Sequence, residues 1–376
     1  MSFRENQSSS KSRIVQIDAA RGTAMLFVFL AHFGSMYLYQ SGAPSTLCML
    51  VNNISKVATP TFMMISGIML GYLYRTKKDS FGMIRSKLQD RGLFMLLIGH
   101  LIISIAHIPL TGSLPAALTY VFITDTIGFC IIVGPILIER WSLVYRVSIG
   151  ISIYILGWVG AFIQYPNSLI WEIVRSIIFG SENWVMDNYL RYTFPLVPWF
   201  GVYLASSCLG EKLGEFQIKG ELESGIRLLG RMALIFVSTG IFALVIWKFV
   251  KLPYLLQFAY FPAWQSNYLF KKLPPGPMYL LLFGGLGLLI LYMLFRMPDK
   301  PFWRNYLVIT SRLGQTSFFA FVIQYYVYFV FFHLAHLNYT IFWPVYLLGS
   351  VIFIVSLSYI CHSRQYNRFL TLRWKN

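Results

Sequence analysis

Charge is scarce in this sequence. Only 12% of its residues are Asp, Glu, Lys or Arg, and the acidic ones number 14 against 31 basic. A soluble domain carries about twice that charged fraction, so a water-solvated globular fold is a poor fit. Cysteine is almost absent too. Cys48, Cys130, Cys208 and Cys361 stand far apart without metal-ligand spacing, so no metal site is expected. No Walker-type phosphate loop or dinucleotide fingerprint is visible, which argues against transport driven by a built-in ATPase. A compact RNA or DNA motif is missing as well. The net charge of +17 is therefore no sign of nucleic acid, and no nucleic-acid partner is expected. Internal repeats are not evident.

What the chain has in abundance is apolar sequence, 57% of its 376 residues. A bilayer core takes roughly 20 apolar residues per helix, and ten such runs can be marked. They cover 17–38, 54–74, 92–110, 115–138, 142–164, 193–209, 228–250, 277–296, 314–334 and 339–360. Two are weaker: 193–209 is short and holds Pro195 and Pro198, and 115–138 carries Asp125. Breaks and ionisable groups are tolerated where protein or a cavity surrounds them. The expected fold is all-α, a polytopic integral membrane protein with about ten transmembrane helices and membrane lipids around it. The first run is too long for a signal-peptide core, so it reads as a retained first helix. Three units follow: a tail at 1–13, a helical domain at 14–362 and a tail at 363–376.

The basic residues orient the helices. With both termini cytoplasmic, 23 of the 31 basic residues fall on inner segments, among them Arg75, Arg85, Arg91, Arg140, Lys212, Arg296 and Arg304. The outer set is Lys56, Arg175, Arg191, Lys248, Lys251, Lys271 and Lys272, and Arg21 lies within the first helix. That asymmetry supports an even helix count and an N-in, C-in topology. The expected location is the plasma membrane, the bacterial inner membrane in particular. Lys271 and Lys272 are the main dissent.

Chemistry enters in the first helix, IDAARGTAMLFVFLAHF, with Asp18, Arg21 and His32. At 100° per residue Asp18 and Arg21 lie within about 60°, and Arg21 and His32 within about 20°, so one face carries all three. Arg21 and His32 are about 16 Å apart along the axis. The pair sits toward the cytoplasmic interface and His32 farther out. Asp18 and Arg21 also suit a structural role, pairing or snorkelling at the helix end. His32 suits proton transfer, yet a hydrogen-bonded structural histidine is the competing reading.

The pattern Asp18-x-x-Arg21-Gly22 with His32 on the same helix resembles the first-helix signature of membrane acyltransferases of the acyltransferase-3 type. Further stretches resemble the related glucan succinyltransferases and heparan-alpha-glucosaminide N-acetyltransferase-like proteins. These are TPTFMMISGIMLGYLYR at 59–75, DRGLFMLLIGH at 90–100, FPLVPWFGVYLASSCLG at 194–210, PPGPMYLLLFGG at 274–285 and LGQTSFFAFVIQ at 313–324. In the heparan-type branch the histidine is expected in the outer loop, but 39–53 holds none. The resemblance therefore leans toward the acyltransferase-3 arrangement.

That resemblance implies an acyl-CoA-dependent enzyme. The donor is cytoplasmic acyl-CoA, expected to be acetyl-CoA, and the acceptor a hydroxyl or amine of an extracytoplasmic saccharide or glycolipid. His32 matches the histidine that acts on the acceptor, and Arg21 the arginine of the donor pathway. Acyl transfer also needs oxyanion donors and restricted water. Asp125, His100, Ser66 and Gln324 are candidate polar partners. Asp125 can pair with Arg21, hold His32 in one tautomer or form a separate contact, and with Asp18 and His32 it makes up the candidate catalytic set. CoA phosphates call for basic groups near the cytoplasmic entrance, which Arg75, Arg85, Arg91 and the 296–312 segment supply beside Arg21. Outside, Trp171, Glu182, Trp184 and Asp187 of the longest outer loop suit carbohydrate, although aromatics enrich every membrane interface. A secondary transporter using Asp18, Arg21, His32 and Asp125 is the alternative. Acyl chain, acceptor and oligomeric state are not legible.

Overall fold

A computed structural model describes residues 14–161, 168–180, 194–249, 267–366 and 370–372. The α-helices of nine residues or more are α1 (Val15–Phe33), α2 (Ser45–Ser55), α3 (Ala58–Thr76), α4 (Phe81–Phe94), α5 (His100–Thr111), α6 (Ile123–Arg140), α7 (Leu143–Gly160), α8 (Leu169–Ile178), α9 (Leu196–Ile218), α10 (Leu222–Phe249), α11 (Gly285–Arg296), α12 (Pro301–Gln315), α13 (Ser317–Tyr325) and α14 (Trp343–Ser363). No β-strand occurs among the described residues. Seven helical stretches there are long and apolar enough to cross a membrane. The protein is all-α and membrane-embedded, as its composition requires.

Three predicted runs fall outside those seven, and their helices are α1, α6 and α9. Polar and charged groups keep them out. Asp18 and Thr23 on α1, Thr124, Asp125 and Thr126 on α6, and Ser206 and Ser207 on α9 are all buried. Helices enclosed by other helices can carry such groups, whereas a lipid-facing helix cannot. The polar helices therefore belong to the interior of the bundle.

Backbone contact holds that interior together. A Cβ placed on Gly22 would lie 1.8 Å from the Thr310 carbonyl oxygen, and one on Gly314 would lie 1.9 Å from that of Asp18. Helices α1 and α12 thus touch main chain to main chain, the packing that small residues permit in membranes. Gly71 and Gly210 do the same between α3 and α9. The segment 296–312, expected as a cytoplasmic loop, is instead largely helix α12. Pro301 at its first turn is the reason, because a fixed φ and a missing N–H suit a helix start.

The chain then reverses against α1. Tyr306 meets Thr23 at 2.8 Å and Gly314 meets Asp18. After Thr316 the direction changes: Ser317 meets Arg21 and Gln324 meets His32. Helices α12 and α13 therefore grip neighbouring faces of α1, the first running against it and the second along it. A π-helical turn follows each half of the upper contact, Gly34–Leu38 after α1 and Tyr326–Phe332 after α13. Such turns concentrate at functional sites. A third, Met95–Gly99, joins α4 to α5. The third span thus begins earlier than the run 92–110 suggests, and Arg85, Lys87 and Arg91 lie on helix α4, not in a loop.

Candidate active site

Beside the lower half of this contact lies a cavity of about 790 Å³, counting its open mouth. Arg21, Arg91 and Ser317 supply polar groups, while Phe62, Met69, Ile127 and Phe318 make much of the wall apolar. Arg21 donates from one terminal nitrogen to Ser317 Oγ at 2.7 Å, and its guanidinium lies 5.7 Å from the Phe62 ring centroid. The serine fixes the fork and the ring supports its flat face. Asp18, one turn earlier, has no exposed surface and accepts from Gln315 Nε2 at 3.3 Å. Snorkelling of Asp18 is thereby overturned, since α12 covers the carboxylate before it can reach an interface.

At the far end Val28, Ile123, Thr124 and Phe321 line the same cavity. Phe321 joins it to His32, the two ring centroids being 6.3 Å apart. His32 is half-buried, with Tyr325 and Phe329 edge-on at 5.1 and 5.0 Å. Its Nδ1 lies 2.6 Å from Gln324 Oε1. A carbonyl oxygen only accepts, so Nδ1 carries the proton and Nε2 keeps a lone pair in the neutral ring. Nε2 makes no hydrogen bond among the described residues. The histidine is thus set up as a base through one nitrogen and anchored through the other.

Asp125 makes the separate contact. Its Oδ2 accepts from the Phe122 amide at 2.7 Å and lies 2.9 Å from His100 Nδ1, while His100 Nε2 reaches the Leu118 carbonyl at 3.2 Å. Neither Arg21 nor His32 is its partner. The reason is positional: as the third residue of α6, Asp125 caps the start of its own helix. Between this pair and His32 stands His107, whose ring is 5.0 Å from Tyr325 and 4.6 Å from Phe329. Two histidines therefore share one pair of aromatic rings.

The structure brings Arg21 and Arg91 to one cavity, and His32 stands behind Phe321 of its wall. It does not bring Arg75 or Arg85 there. Arg85 pairs with Glu139 of α6, and Arg75 lays its aliphatic stem against Gly214 of α9. Ser66 lines the cavity with its hydroxyl bonded to the Phe62 carbonyl at 2.7 Å, which suits packing. Trp171 is exposed, whereas Glu182, Trp184 and Asp187 lie outside the described residues. Sequence reasoning missed Thr124, His107, Tyr203 and Ser317. Ser317 and Tyr203 had a signal, inside the 313–324 and 194–210 stretches, and the other two had none.

A comparison with curated proteins found no match. The acyltransferase domain family, of the acyltransferase-3 type, matches residues 14–362. That match spans nearly the whole chain and includes every helix that builds the cavity and the histidine contact. The chain belongs to the acyltransferase-3 family and is a membrane acyltransferase.

Proposed function

We propose that the protein transfers an acyl group, expected to be acetyl, from cytoplasmic acyl-CoA to a hydroxyl or amine of an extracytoplasmic saccharide or glycolipid. The observation that carries this reading is the single cavity with Arg21 and Arg91 at one end and Phe321, in contact with His32, at the other. Two cations at the inner end suit the phosphates of CoA, and apolar walls suit a pantetheine thioester kept from water. Family membership favours this chemistry over transport. The helical unit 14–362 is taken as the catalytic domain, in the plasma membrane with both termini inside.

In the proposed reaction the acceptor oxygen or nitrogen attacks the thioester carbonyl carbon while His32 Nε2 takes its proton. The carbon–sulfur bond then breaks and the same nitrogen returns the proton to the CoA thiolate. Arg21 holds the donor and takes no proton.

Purified protein with labelled acetyl-CoA and a panel of glycans and alkyl glucosides tests this, read by product mass and thioester loss. His32→Ala should keep donor binding and lose transfer by roughly 10²–10⁴-fold per folded molecule. Near-normal turnover by the folded variant would remove His32 from the chemistry. Arg21→Ala should weaken acetyl-CoA binding, with Lys restoring it only in part because the fork is lost.

A further inference from the structure

Most threonines in these helices follow one habit. The hydroxyls of Thr23, Thr61, Thr76, Thr310 and Thr316 each bond the carbonyl four residues earlier. Thr124 does not. It is the second residue of α6, so the residue four places before it, Tyr120, precedes the helix. Its Oγ1 is buried without a hydrogen-bond partner, the residue is only 3% exposed, and it lines the cavity. An unpartnered buried hydroxyl costs about 1–3 kcal/mol, so its presence on a cavity wall calls for a reason.

Two more donors accompany it. In the first turn of a helix the amides have no carbonyl to bond. The Phe122 amide is taken by Asp125 Oδ2, and those of Asp125 and Thr126 reach the Phe122 carbonyl. The amides of Ile123 and Thr124 have no partner among the described residues, and both residues line the cavity. The positive end of the α6 dipole adds to the same field.

Asp125 does not cancel that field. His100 faces an oxygen from each ring nitrogen, Asp125 Oδ2 and the Leu118 carbonyl. An imidazolium beside a carboxylate satisfies this, as does a neutral imidazole beside a carboxylic acid. The pair has no net charge in either state.

We infer that the first turn of α6, through the Thr124 hydroxyl and the amides of Ile123 and Thr124, is the oxyanion site for the thioester carbonyl; this rests on the acyltransfer reading above. As the acceptor atom bonds to the carbonyl carbon, the carbon–oxygen π pair moves onto oxygen, and these donors hold the resulting anion. The pair returns when the carbon–sulfur bond breaks, with CoA thiolate leaving and taking the proton from His32. Preorganised donors of this kind act on the charge that develops in the transition state, so they raise kcat and leave ground-state binding alone.

Thr124→Val keeps the shape and the branched Cβ while removing the hydroxyl, and Thr124→Ser keeps the hydroxyl. Full-length protein would be assayed with labelled acetyl-CoA and the same alkyl glucosides, normalised to folded protein by size exclusion. The valine variant should lose about 10²-fold in kcat with an unchanged KM for acetyl-CoA, and the serine variant should recover most of it. A folded valine variant with wild-type kcat overturns the oxyanion site while the acyltransfer reading stands. A change confined to KM overturns it too, because it marks uniform binding. Wild-type protein that forms no acylated product removes both readings together.

Discussion

A histidine serves as base only through the nitrogen that lacks a proton, and Gln324 decides which nitrogen that is. Its Oε1 accepts from Nδ1 at 2.6 Å, leaving Nε2 for the acceptor. Gln324→Leu removes that anchor in a fully buried position. Losing a buried hydrogen bond costs about 1–3 kcal/mol, so a fall in kcat of roughly 5- to 150-fold is expected, with donor affinity unchanged. Gln324→Glu keeps an acceptor at the same place and should retain more activity than the leucine variant. A carboxylate also favours imidazolium, so the acid limb of its pH–rate profile should move to higher pH. A glutamine with a merely structural role predicts no such movement, and an unchanged profile in Gln324→Glu would count against positioning. The sequence allowed Gln324 to be named as a polar partner because few polar groups interrupt that apolar run. Thr124 was not legible in the same way. Its importance depends on α6 beginning one residue before it, and periodicity places helix starts only to within a few residues.

At the scale of helices, the site exists because α12 and α13 grip α1 from successive directions. The lower grip has no room for a side chain, as Gly22 and Gly314 show. Gly314→Ala would drive a Cβ into the Asp18 carbonyl at 1.9 Å. Overpacking of this sort costs about 1–3 kcal/mol or more, and it displaces the turn that presents Arg21. Thermal unfolding in detergent should therefore show a lowered midpoint, together with weakened acetyl-CoA binding. Gly349→Ala is the matched control. Gly349 lies in α14 with nothing within 4 Å of a built Cβ, so the change should stay within about 1 kcal/mol. Equal behaviour of the two variants would show that close α1–α12 approach matters little. The sequence signalled half of this arrangement. Gly22 and LGQTSFFAFVIQ stood out, but Arg296, Lys300, Arg304 and Arg312 read as an inner loop, since clustered charge between apolar runs usually marks one. A helix that spends its apolar face on a neighbour and keeps its charges outward defeats that rule.

Across the whole molecule, most of the basic residues lie on the segments read as inner. Arg85 pairs with Glu139, Arg146 with Glu211, and Arg296 with Glu223; Lys212 and Lys219 both reach Glu215 at 2.9 Å. Each of these residues lies on a segment that the charge asymmetry assigns to the cytoplasm. Much of the scarce acid is thus spent on the same segments, yet the basic excess persists. Lys272, which opposed the asymmetry, is half-buried with its amine 5.5 Å from the Phe194 ring centroid. Burial, helped by Lys56, pulls that amine down to about 8. A lysine held in this way faces protein, so it weighs little in an orientation set by loops meeting anionic lipid. Both termini are then expected inside. With Cys48 replaced by serine, the remaining cysteines are buried and single probes can be read. Ser80→Cys and Leu370→Cys should react with a membrane-impermeant maleimide only after the cells are permeabilised, whereas Tyr39→Cys, at a position 78% exposed beyond the end of α1, should react in intact cells. Labelling of positions 80 or 370 in intact cells would invert the orientation, and with it the assignment of Arg21 and Arg91 to a cytoplasmic donor.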